Sequence, residues 1–115
     1  MNMDETDREV LKDAVSMWGR DAQAMMLVEE TGELLHALAR SYRCHSDEEA
    51  TQRKAGLIEE IADVQVLLDQ FKLILGESAV QEQYEKKLAR LRGKLQVYKE
   101  AREKEGKRLD LDKFM

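Results

Sequence analysis

Apolar positions recur at three- and four-residue spacing in four stretches of this chain, each bounded by glycine or a short polar break. Val10, Leu11, Ala14, Val15 and Trp18 predict a first helix from about Asp4 or Asp7 to Trp18, which Gly19 ends. Asp21 is the expected N-cap of a second helix over 22–42. After the polar connection Arg43-Cys44-His45, Ser46 with Glu49 reads as a capping box that opens a third helix over 47–75. Gly76 ends that helix, and Ser78 with Gln81 predicts a box for a fourth over 79–104. Tyr84, Leu88, Leu91, Leu95 and Tyr98 would face inward from it. The pattern predicts an all-α, four-helix bundle in one domain over 1–106. A tail at 107–115, with Leu109, Leu111 and Phe114 among its charges, would be disordered or dock on a neighbour.

The second and third helices share a motif. Val28-Glu29-Glu30-Thr31-Gly32-Glu33 is echoed 30 residues later by Ile58-Glu59-Glu60-Ile61-Ala62-Asp63. Carboxylates three residues apart on a helix sit about 60° apart around the axis, so Glu30/Glu33 and Glu60/Asp63 each make a two-pronged claw. With wheels started at Leu27 and Leu57, both claws fall at about 300° and 240°, on one shoulder of the apolar stripe. Ile61, Val64, Leu68, Phe71 and Leu75 lie on the third helix's stripe. Antiparallel packing of the two helices would then bring both claws to the same edge.

Four converging carboxylates cannot all stay ionised without a counter-charge. A hard divalent cation, Mg²⁺ or Mn²⁺, prefers oxygen ligands and supplies that charge. A single triplet is readily explained as a charged outer face, given that 37% of residues are charged. Two triplets in matching phase favour a metal. Leu67 and Ile74 fall outside the third helix's stripe, which implies another packing partner, most simply a second copy of the chain.

The absence of proline and the six glycines agree with long helices. The net charge of −5 weighs against nucleic acid as a partner but not against a small polyphosphate beside a metal. One cysteine, no signal-like N-terminus and no apolar run of membrane length give the expectation of a soluble, cytoplasmic protein.

Glu29-Glu30-x-x-Glu33 followed by Glu60-x-x-Asp63 resembles the MazG-like family of all-α nucleoside triphosphate pyrophosphohydrolases. Trp18-Gly19-Arg20-Asp21-Ala22-Gln23 is similar to the family's lead-in, and Lys87-Leu88-Ala89-Arg90-Leu91 to its C-terminal Lys-x-x-Arg-Leu segment. The similarity spans roughly Ala14 to Leu95. It implies a homodimer or dimer of dimers that uses Mg²⁺ to split a nucleoside triphosphate into monophosphate and pyrophosphate. Glu30, Glu33, Glu60 and Asp63 would be the metal ligands, and Glu29 would stand behind them or position water. Gln23 would read a base edge or sugar.

Hydrolysis at the α-phosphate needs charge neutralisation and an aligned water, which bound Mg²⁺ provides. Lys87 and Arg90, one turn apart, are candidates for the outer phosphates or are ordinary solvated cations. Trp18 or Tyr84 would stack on a base or belong to the core. Competing readings are a phosphoribosyl-ATP pyrophosphatase and a non-catalytic helical interaction bundle. His36 reads as an ordinary helical position. Cys44-His45 lacks a second pair at zinc-like spacing.

Overall fold

The computed structural model describes residues 3–106, so the tail expected at 107–115 lies outside the described residues. Four helices occur and no strand among the described residues: α1 (Glu5–Trp18), α2 (Arg20–Ser41), α3 (Asp47–Leu75) and α4 (Glu77–Glu105). No described helix is long and apolar enough to cross a membrane. The chain divides into two units, one ending at Gly76 and one beginning at Glu77.

Local chemistry sets the helix ends of the first unit. Asp4 accepts a hydrogen bond from the Asp7 amide at 2.8 Å, and the Asp7 carboxylate accepts from the Asp4 amide at 3.3 Å, a reciprocal cap on α1. Gly19 serves two helices at once. Its N–H donates to the Val15 carbonyl at 2.8 Å and its carbonyl accepts from Gln23 at 3.1 Å. The turn needs φ +90° and ψ 153°, a backbone region that only glycine enters without strain. Because one residue makes the turn, α2 starts at Arg20. Asp21 is therefore inside the first turn and not at the N-cap that the sequence suggested.

Ser46 caps α3 as expected, accepting from the Glu49 amide at 3.1 Å. Glu49 reaches back to the His45 amide at 3.3 Å, one residue earlier than a capping box requires. Arg53 then bridges the two helices. It pairs with Glu49 at 2.6 Å and donates to the Arg40 carbonyl at 3.1 Å, filling an acceptor in the last turn of α2.

α2 and α3 pack antiparallel: Arg53 meets Arg40 near the connecting loop, Glu60 and Asp63 meet Glu30 at mid-length, and Gln70 meets Gln23 at the far end. The seam of low exposure runs along Leu27, Glu30, Leu34 and Ala37 on α2. On α3 it comprises Leu57, Glu60, Val64, Leu67 and Phe71. This corrects the expected phase. Leu67 is buried, whereas Ile61, Leu68 and Leu75, expected on the inner stripe, are exposed. The seam is turned toward the glutamates, so that Glu30 and Glu60 enter it while Glu33 and Asp63 stay on its exposed shoulder.

α1 packs on both helices through Leu11 and a polar link. Gln23 Nε2 donates to Gln70 Oε1 at 3.0 Å, and Gln70 Nε2 donates to the Leu11 carbonyl at 3.2 Å. Gln70 is 2% exposed, the most enclosed large side chain of the unit. It is satisfied on both sides of its amide, which is the condition for burying such a group without a large cost.

α4 begins at Glu77, so Ser78 lies in its first turn and the box expected with Gln81 does not form. Gln81 donates to Glu85 one turn on, at 3.4 Å. Tyr84, Leu88, Leu91, Leu95 and Tyr98 are all exposed, correcting the inward placement read from their spacing. A repeat of threes and fours marks one helix face but does not say what covers it.

Candidate metal centre

One carboxylate oxygen each from Glu30, Glu60 and Asp63 lies within 4.8 Å of the others. Glu30 and Glu60 are half-buried in the α2–α3 seam, whereas Asp63 stands exposed at its edge. The helix repeat explains the arrangement: Glu30 and Glu60 face each other across the antiparallel contact, and Asp63 is one turn beyond Glu60 on the same face. Glu30 Oε2 and Glu60 Oε2 are buried without a hydrogen-bond partner among the described residues. Buried acceptors of this kind are rare in folded proteins and call for a ligand or a proton.

The electrostatics agree. The Glu30 carboxyl is raised above the ordinary glutamate range, first by burial and then by the charges of Glu33, Asp63 and Glu60. Glu60 is raised by burial and by the charges of Glu33, Asp63 and Glu59. Glu33 is exposed and outside the 4.8 Å set, yet its charge acts on both. An all-oxygen donor set with two unpartnered buried atoms fits a hard divalent cation such as Mg²⁺ or Mn²⁺.

Of the residues singled out from the sequence, Glu30, Glu60 and Asp63 are brought together directly, and Glu33 is their charged neighbour. Glu29 is exposed and lines a neighbouring pocket of about 580 Å³ with Trp18, Gln23, Met25, Met26 and Leu67. Trp18 is 66% exposed, which removes it from the core. The Gln23 amide is engaged by Gln70, so its Nε2 is already committed within the protein. Lys87 and Arg90 lie on α4 in the second unit, both exposed.

Sequence reasoning missed Gln70, although a polar residue three after Leu67 and four before Ile74 is a visible break in the seam's apolar run. It also missed Arg53, which has the spacing of an ordinary surface i,i+4 partner of Glu49. Comparison of the chain with protein-family models, with curated proteins and with solved structures finds no match in any of the three.

Proposed function

We propose that the chain is a Mg²⁺-dependent nucleoside triphosphate pyrophosphohydrolase of the MazG-like type, releasing pyrophosphate and a nucleoside monophosphate. The observation that carries this reading is the convergence of Glu30, Glu60 and Asp63 with two buried oxygens lacking partners. A cluster serving only solubility would keep its carboxylates out in water, where ionisation is cheap. Here two of them sit in a helix contact and shift upward, an unfavourable arrangement that a bound cation reverses.

Glu30, Glu33, Glu60 and Asp63 would hold Mg²⁺, which supplies charge neutralisation of the phosphates and an activated water. Glu29 stands on the next position of α2, at the rim of the Trp18 pocket, where it orients water or a sugar hydroxyl. That pocket, apolar with one exposed indole, suits the flat face of a base. No covalent intermediate is required, so the residues act by binding and positioning.

The same reading makes the molecule a homodimer or dimer of dimers with the four-helix arrangement of that enzyme class. Its support is the set of exposed apolar residues on α2, α3 and α4. Phosphorus NMR of a panel of canonical and modified triphosphates, with Mg²⁺ and then with EDTA, tests the activity. Metal-dependent release of pyrophosphate is expected. Release of orthophosphate alone, or activity that persists in EDTA, would reject the reaction.

A further inference from the structure

A second pocket, of about 230 Å³, opens at the loop end of the α2–α3 pair, lined by Ala37, Arg40, Glu49, Gln52, Arg53 and Gly56. Its position follows from helix spacing. Glu33, Ala37 and Arg40 are four and three residues apart, so they share a face of α2. Gln52, Gly56, Glu60 and Asp63 do the same on α3. The pocket therefore begins one helical turn, about 6 Å, from the carboxylates and continues away from them.

Two small residues keep that path open. Ala37 and Gly56 flank it directly after Glu33 and Glu60, and a Cβ at Gly56 would meet nothing within 4 Å. Beyond them stand two guanidinium groups in different states. Arg53 is fixed, with Nη2 on Glu49 at 2.6 Å and Nη1 on the Arg40 carbonyl at 3.1 Å. The guanidinium of Arg40 has no partner among the described residues. Gln52 adds an amide on the same wall.

Along the α2–α3 pair the features follow in order: an apolar pocket with Trp18 near the start of α2, the carboxylates at mid-length, and an unpaired arginine near the connecting loop. We propose that the Arg40 pocket receives the terminal phosphates of the substrate, with Arg40 donating to their oxygens and Gln52 assisting. This inference rests on the pyrophosphohydrolase reading for the identity of the ligand. A polyphosphate lying along the carboxylates needs cations at its far end, and a planar guanidinium matches phosphate oxygens in pairs. Arg53, held and neutralised by Glu49, shapes the wall, which leaves Arg40 as the uncompensated cation of the pocket. The substrate is accordingly oriented with its base toward Trp18 and its leaving pyrophosphate toward the α2–α3 loop.

The test uses the full chain and inorganic tripolyphosphate as probe, titrated by calorimetry in the presence of Mg²⁺, beside steady-state kinetics with a nucleoside triphosphate. Arg40→Gln, at an exposed side chain, should weaken tripolyphosphate about tenfold and raise KM comparably, as expected for the loss of one charge-assisted contact. Mn²⁺ affinity measured without phosphate should stay unchanged, and Arg40→Lys should recover part of the loss. Unchanged tripolyphosphate affinity in Arg40→Gln, or a loss seen with Lys87→Gln and not with Arg40→Gln, would overturn the proposal. Arg40-dependent tripolyphosphate binding with no triphosphate hydrolysed would uphold the pocket and remove the enzymatic reading. Hydrolysis indifferent to Arg40 would remove the pocket alone.

Discussion

Glu30 and Glu60 are part-buried acids whose ionisation works against the metal-free fold, and pH exposes it. Both hold a proton more tightly when folded than when unfolded. Their stabilising contribution is therefore complete below the ordinary glutamate pKa and is lost as pH rises through the raised folded value. At neutral pH, without metal, Glu60→Gln should melt at a higher temperature than wild type, and the gap should close toward acid. Differential scanning calorimetry across that range checks the sign; a wild type that melts higher at neutral pH would contradict it. Asp63→Asn, at the exposed edge, removes one of the charges that act on both glutamates and should raise the metal-free melt at neutral pH by less than Glu60→Gln does, while lowering activity at least about 100-fold through loss of a ligand. Gln70 shows the opposite economy, being buried and satisfied. Gln70→Leu removes the acceptor of Gln23 and should cost roughly 1–3 kcal/mol in urea unfolding.

At the scale of the helices, the order and extent of all four elements could be read from spacing, glycines and caps. Gly19, Ser46 and Gly76 bound elements where the sequence suggested. What could not be read was the rotation of each helix. A stripe of Leu, Ile and Val names a face by hydrophobicity, and α2 and α3 each have two such faces side by side. Leu27, Leu34, Val64 and Leu67 pack within the unit, whereas Leu35, Leu38, Ile61 and Leu68 do not. Choosing between them required knowing that two glutamates enter the contact, against ordinary burial preferences. Asp21 was misplaced for a related reason, since a one-residue turn at Gly19 leaves no room for a separate cap. Gly19→Ala should cost roughly 1–3 kcal/mol, because alanine is strained at φ +90° whatever the space around it. A change within a few tenths of that quantity from zero would show that the turn relaxes.

At the scale of the molecule, the pairing of two acidic motifs was legible because an antiparallel helix pair maps a repeated pattern onto itself. The Arg40 pocket was not, since Arg40 and Gln52 come together only through the loop between α2 and α3. Ile61 lies two residues before Asp63 and Leu35 two after Glu33, which places both about 160° around their helices from the acidic edge. An apolar face therefore backs the acidic face. Light scattering should report a dimer or tetramer, and Ile61→Glu should shift it toward monomer; a monomeric wild type would contradict this. The central claim is that the carboxylates gather to hold a divalent cation, and calorimetric titration with Mn²⁺ in two buffers of different ionisation enthalpy tests it most directly. The account predicts binding accompanied by proton release that grows as the pH is lowered toward the raised range of Glu30 and Glu60, and its loss in Asp63→Asn combined with Glu60→Gln. No binding heat at millimolar Mn²⁺, or equal binding by that double variant, would contradict it.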